Sequence, residues 1–195
     1  MPFHNPLDEV LGNRIRVRVL RVLRSSRSQG LTGRELSRRS KASASQTIEA
    51  LAVLERAGLV HRETAGPSHV WRLALDHVLI EPLDRLFESE SDIPHKLQED
   101  LRMAVKGLPV RQARLFGSVA RGDDESSSDI DLFVEVESST QLGTVRESLS
   151  ALSATFARRF GHSLSSLVLT RAQVRRPTNP RLLETIQREG IPVEP

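Results

Sequence analysis

Asp129 and Asp131, separated by a single isoleucine, carry the strongest chemical signal in the chain. Residues two apart on a β-strand project from the same face, so Asp129-Ile130-Asp131-Leu132-Phe133 sets two carboxylates side by side. Such a pair suits Mg2+, a hard ion that takes oxygen ligands and fills its octahedron with water or phosphate oxygens. Upstream, Arg114-Leu115-Phe116 leads into Gly117-Ser118-Val119-Ala120-Arg121-Gly122. A glycine and serine turn lets anionic phosphates come close to backbone amides and a hydroxyl. Together the two segments can hold Mg2+ and an anionic triphosphate. Metal there would neutralise the triphosphate and align attack on its alpha phosphorus.

Other candidates are weaker. Glu135 shares strand parity with the aspartates but lies about 6 to 7 Å beyond Asp131 by strand rise, which makes it a poor third ligand. His162 reads as a solvent-facing loop histidine rather than a base. His61 and His69 are lone histidines without a ligand cluster. The chain has no cysteine, which excludes disulfides, thiolate metal sites and cysteine nucleophiles.

The elements that must position the aspartates follow from the pattern. Strands at 114–116 and 130–134 flank the glycine-serine turn and its acidic, serine-rich continuation. A helix over about 141–160, a strand at 164–170 and a helix near 181–188 follow. Residues 93–195 are expected to form an α/β domain with a mixed sheet, opened by a helix over 95–106. Residues 76–92 read as a helical linker, broken by Ser89-Glu90-Ser91-Asp92 and Pro94.

Residues 1–75 form a different unit. Ile15, Val19, Leu20, Val22 and Leu23 recur at helical spacing, predicting a helix over 7–24. Thr32-Gly33-Arg34-Glu35 and Ser43-Ala44-Ser45-Gln46 both have the form of a capping box and start a second and a third helix. Leu59 to Glu63 and His69 to Leu73 read as strands joined by Thr64-Ala65-Gly66-Pro67-Ser68. Net charge is +3, but residues 1–75 hold 13 Lys and Arg against 6 Asp and Glu, and the remainder 15 against 19. A basic half suits a polyanion such as DNA. No run approaches the about 18 to 20 apolar residues of a membrane span, and the first residues lack a signal-peptide core. The expectation is a cytoplasmic protein without a membrane partner, α+β in class.

Three helices, a tight turn and a hairpin, carried by Leu31 to Leu36, Ser43 to Leu54 and Glu55 to Arg62, resemble the winged helix-turn-helix regulators of the ArsR and MarR type. That resemblance implies double-stranded DNA as partner and a homodimer on paired half-sites. Ser45, Gln46 and Thr47 of the third helix would reach the major groove, with Arg62, His69 and Arg72 on the backbone from the wing. Glu49 on the same helix would oppose phosphate. From about residue 93 to 191, the Gly117-Ser118 and Asp129-Ile130-Asp131 segments resemble minimal nucleotidyltransferases of the DNA polymerase beta superfamily. By that resemblance Gly117, Ser118 and Arg121 would face the phosphates of a nucleoside triphosphate, ATP first, and Asp129 and Asp131 would be the metal-binding, catalytic pair. Arg121 has a second reading, as the partner of nearby carboxylates. The family places a third carboxylate on a later strand, where this chain has Ser165. The resemblances imply a DNA-binding protein that binds Mg-NTP and transfers a nucleotidyl group, such as AMP, to a protein or small-molecule hydroxyl. The alternative is a transcriptional regulator or antitoxin-like protein whose degenerate transferase domain senses a nucleotide or docks a toxin partner.

Overall fold

The computed structural model describes residues 3–65, 68–125 and 127–194. Gly66 and Pro67 of the expected wing turn, and Ser126 of the acidic loop, lie outside the described residues. Contacts divide the chain into two units: Asn5–Ser91, and a second unit that joins Phe3 and His4 to the chain from Asp92 onward.

In the first unit the helix expected over 7–24 is two, α1 (Leu7–Val10) and α2 (Arg14–Ser25). Gly12 at φ 70 turns the chain out of the helix, and Asn13 restarts it by accepting from the Arg16 amide. β1 (Leu31–Thr32) is a short strand with no signal of its own in the sequence. Both capping boxes form: Thr32 with Glu35 starts α3 (Gly33–Ser40), and Ser43 with Gln46 starts α4 (Ala44–Arg56). β2 (Val60–Ala65) and β3 (Ser68–Leu73) pair antiparallel, and β1 adds to β3 with Leu31 opposite Trp71. The sheet order is β1-β3-β2. Val19, Leu23, Leu36, Leu51 and Leu54 make the core between helices and hairpin. Helix, short strand, two helices and a hairpin wing constitute a winged helix.

α5 (Ile80–Ser91), expected as part of a linker, packs within this unit. Its apolar stripe puts Ile80 and Phe87 into the same core, with Leu83 and Leu86 against it. Its acidic residues meet the arginines of α2. Glu90, buried, accepts from the Leu7 amide at 2.9 Å and from Arg21 at 3.0 Å. Asp84 pairs with Arg24 and Arg27, and Asp8 of α1 with Arg18 and Arg21. The arginine face of α2 is therefore largely spent on internal pairs. Over Asn5–Ser91 there are 14 Lys and Arg against 11 Asp and Glu, so most of the local basic excess disappears.

The second unit runs α6 (Ile93–Val105), β4 (Val110–Phe116), α7 (Gly117–Arg121), β5 (Ile130–Val136), α8 (Ser139–Phe160), β6 (Leu164–Thr170), α9 (Arg171–Arg175), α10 (Pro180–Glu189) and β7 (Ile191–Val193). The sheet order is β6-β5-β4-β7. β5 is parallel to β6 and antiparallel to β4, which is antiparallel to β7, so the sheet is mixed as expected. β5 is buried along nearly its whole length because both faces are covered. Ile130, Leu132, Val134 and Val136 pack with Leu101 of α6 and Leu149 and Phe156 of α8. Phe133 packs on the other face with Leu183 and Ile186 of α10. No helix among the described residues is long and apolar enough to cross a membrane.

Glu90→Ala strands the Leu7 amide and part of Arg21, and is expected to destabilise the first unit by about 2 kcal/mol. Denaturant unfolding followed by Trp71 fluorescence measures this, and a change near zero would mean that the α2–α5 pairs contribute nothing to the fold.

Candidate functional site

The turn between β4 and α7 is built around one close approach. Gly117 sits at φ 78, a left-handed conformation that L side chains rarely adopt. A Cβ added there would lie 2.3 Å from Oδ2 of Asp131, an overlap that no carbon can make. The absence of a side chain at residue 117 thus lets the turn rest directly on the second aspartate. Ser118 follows in the first turn of α7, and its carbonyl accepts from the amides of Gly122 and Asp123. Asp131 is the second residue of β5, while Asp129 lies just ahead of the strand, outside the ladder. Burial, and after it the negative charge of Asp129, push the Asp131 carboxyl up, with Arg121 partly offsetting them. The two aspartates and Arg121 therefore share one electrostatic environment. Arg121 itself donates to Asp123 at 3.1 Å, the carboxylate partnership noted as its second reading.

Asp131 lies between Phe116 of β4 and Ser165 of β6 in the strand register. The position expected for a third acid is therefore adjacent to the pair, and it holds an exposed serine. Glu135 does not substitute. It is buried further along β5, accepts a hydrogen bond from Gln112, and has Arg111 at 3.6 Å. Among the described residues no cluster of three or more His, Asp or Glu is placed to hold a metal.

His162, expected in solvent, is 2% exposed. Its ring packs on Phe3, and its Nδ1 hydrogen-bonds to the carbonyl of Ser128, the residue before Asp129. The sequence also gave no sign of Asp124. Asp123-Asp124-Glu125 reads as a solvated acidic run, yet the Asp124 side chain has no exposed surface and pairs with His4 at 2.8 Å. Only the distant partners, Phe3 and His4, distinguish it from its neighbours.

In the winged helix, Ser45 and Gln46 are exposed at the start of α4. The Gln46 side-chain oxygen accepts from the Ser43 amide as half of the capping box. Thr47 is 0% exposed and donates its hydroxyl to the Ser43 carbonyl, so it belongs to the core and not to the outer face. Ile48 and Glu49 occupy that face beside Ser45. The wing residues are split by the hairpin register. Arg62 lies opposite Trp71 and His69 opposite Thr64 on one side, whereas Arg72 lies opposite His61 on the other. Arg62 stands over the Trp71 ring at 5.9 Å. Arg72 donates to Glu63 at 2.9 Å, and Arg72 first, then His61, holds that carboxyl below its ordinary range.

Gly117→Ala must push residue 117 and Asp131 apart, and is expected to destabilise the second unit by about 1–2 kcal/mol. Asp131→Asn should act in the opposite direction in metal-free protein, because it removes a half-buried charge that faces Asp129. Solvent screening limits that gain to about 0.5 kcal/mol. Chemical denaturation of both variants checks the signs, and a stabilised alanine variant would refute the close approach.

Residues 96–186 match the family model described as Nucleotidyltransferase domain. No curated protein matches the chain. Among solved structures, a mutant MepR from a multidrug-resistant S. aureus clinical isolate is similar at 16% identity over 54% of this chain and 73% of that one, with a TM-score of 0.40. A MarR-family transcription regulator is similar at 18% identity over 76% of each chain, with a TM-score of 0.32. TrmBL2, described as an archaeal chromatin protein with a novel mode of DNA binding, gives 15% identity over 92% of this chain and 74% of that one, with a TM-score of 0.31. The winged helix rests on the order and register of α2 to β3 rather than on these likenesses. The family model begins within α6 and ends within α10, so it takes in every strand of the mixed sheet except β7. The match to a nucleotidyltransferase domain thus falls within the second unit, in one chain with a winged helix.

Proposed function

We propose that this chain is a DNA-binding protein whose nucleotidyltransferase domain binds a nucleoside triphosphate with Mg2+, with ATP as the ligand to test first. The observation that carries the reading is the packing of Gly117 against Asp131, which supports a single site made of the glycine-serine turn and the aspartates. The donor set fits the ion: two neighbouring carboxylates, one of them half-buried, repel each other until a cation joins them. Asp129 and Asp131 would hold the metal, Gly117 and Ser118 would offer an amide and a hydroxyl to phosphate oxygens, and Arg121 adds positive charge at the exposed rim. Bound metal supplies charge neutralisation and alignment of the alpha phosphorus.

Ser165, in register with Asp131, offers no carboxylate to take a proton from an attacking hydroxyl. The site is therefore better suited to holding a nucleotide than to rapid turnover, as in a regulator that senses the nucleotide or docks a partner such as a toxin. A second reading, transfer of AMP to a protein or small-molecule hydroxyl, is favoured by the family match. On the DNA side, Ser45 and Gln46 at the exposed start of α4 and the cations of the wing support groove and backbone contacts, with a homodimer placing two α4 helices on paired half-sites. Glu49 opposes them.

Titration of Mg–ATP into the pure protein is expected to show binding that Asp129→Asn with Asp131→Asn abolishes while leaving the fold intact; equal affinity in the folded double variant would remove the site. Ser165→Asp should tighten Mn2+ binding several-fold by adding a third ligand. Labelled ATP with cell lysate separates the two readings, since label transferred by wild type and lost in the double variant means an enzyme. For DNA, Arg72→Ala should lower the salt slope of duplex binding by about 1, and Glu49→Gln should tighten binding. Fluorescence anisotropy at several salt concentrations reads both, and indifference to both would clear this surface of the role.

A further inference from the structure

Asp129 lies outside the β-ladder, so strand pairing does not fix its position. The ladder begins one residue later, where the Ile130 amide donates to the Ser163 carbonyl at 2.9 Å. Among the described residues from Gly122 to Ser128, local hydrogen bonds hold the two ends of the stretch. The Gly122 and Asp123 amides reach back to Ser118, and Glu125 and Ser128 bond each other at 3.0 Å. Two further anchors come from far away in the sequence. Asp124, with no exposed side-chain surface, takes the Phe3 amide on one oxygen and His4 Nδ1 on the other. The His4 ring lies over Gly122, where an added Cβ would be 3.3 Å from Nε2. Phe3, 3% exposed, packs its ring on Phe160 at 5.5 Å and on His162 at 4.9 Å. His162 in turn bonds the Ser128 carbonyl. A carbonyl only accepts, so Nδ1 carries the proton, and the Phe3 ring fixes the plane of the imidazole that delivers it.

We propose that Phe3 and His4 form a strap that positions the aspartate loop, gripping it at Asp124 directly and at Ser128 through His162, and so presents Asp129 to the metal beside Asp131. Neither strap residue touches the metal or nucleotide; both are positioning residues. The proposal rests on the metal–nucleotide reading for its purpose, but the grip on the loop is independent of it.

Amide hydrogen exchange of the metal-free full chain tests the grip. Phe3→Ala is expected to raise exchange across 123–130 about tenfold while α8, β4 and β6 keep their protection, and Phe3→Leu, which still fills the site, to stay near wild type. Unchanged exchange in 123–130, or an equal rise throughout the unit, would overturn the strap and leave Phe3 as ordinary core. Should Phe3→Ala fail to fold, the isosteric Asp124→Asn, which weakens the clamp without emptying space, is read by the same criteria. Mg–ATP affinity separates the two ideas. If wild type binds, Phe3→Ala should raise Kd about tenfold and Phe3→Leu far less, whereas equal affinity alongside faster loop exchange would overturn the role in presenting Asp129. If wild type does not bind, the nucleotide reading fails, and loop exchange alone decides the strap.

Discussion

The second unit is organised around the lack of space between residue 117 and the Asp131 carboxylate. Close packing has no slack at that distance, so residue 117 can carry no side chain where β5 presents its second residue, and its left-handed φ of 78 is a second reason for glycine there. The rest of the sheet follows from this demand. β4 must deliver Gly117 at the height of Asp131, which the antiparallel register achieves by setting Phe116 opposite it. β6 must run parallel on the other side, which needs the long α8 crossover. Hydrophobic burial on both faces of β5 then keeps a partly desolvated carboxylate at the strand end in place, although burial itself disfavours its ionised form.

The winged helix is governed by a different balance. Its first long helix carries arginines that look, in sequence, like a surface for a polyanion. In the folded unit Arg18, Arg21 and Arg24 among them are answered by Asp8, Asp84, Glu88 and Glu90. Ion pairs that are partly buried and hydrogen-bonded from several sides are costly to open. These arginines therefore belong to the scaffold, and the surface left for an outside partner is smaller than the charge distribution alone implies.

What the sequence disclosed depended on the range of the interaction responsible. The capping boxes at Thr32 and Ser43 are local, and both formed where the side chains placed them. The glycine-serine turn was legible because turn chemistry acts over a few residues, whereas the expected strand face holds only Asp131, since β5 begins at Ile130 and Asp129 precedes it. The place of Ser165 was legible only through resemblance, and the strand register sets it beside Asp131. Long-range partners left no local trace. Asp124 and His162 read as surface residues because their burial depends on Phe3, far away in the chain. Thr47 looked like its exposed neighbours Ser45 and Gln46, but helical periodicity turned it inward. α5 reads as a linker because Ser89-Glu90-Ser91-Asp92 and Pro94 break the pattern at its end, while the arginines its carboxylates meet are far away in the sequence.

The placement of Phe3 and His4 with the second unit makes that unit discontinuous, with the winged helix inserted into it. The covalent chain crosses between the two bodies once after His4 and again after Ser91. A protease that cut only the second crossing would leave the second unit with part of its own core, Phe3, on the other fragment. A fragment begun at Asp92 is by the same reasoning an incomplete domain, with Phe160 and His162 uncovered. A division at Asp92 alone thus separates Phe3 from the core it belongs to.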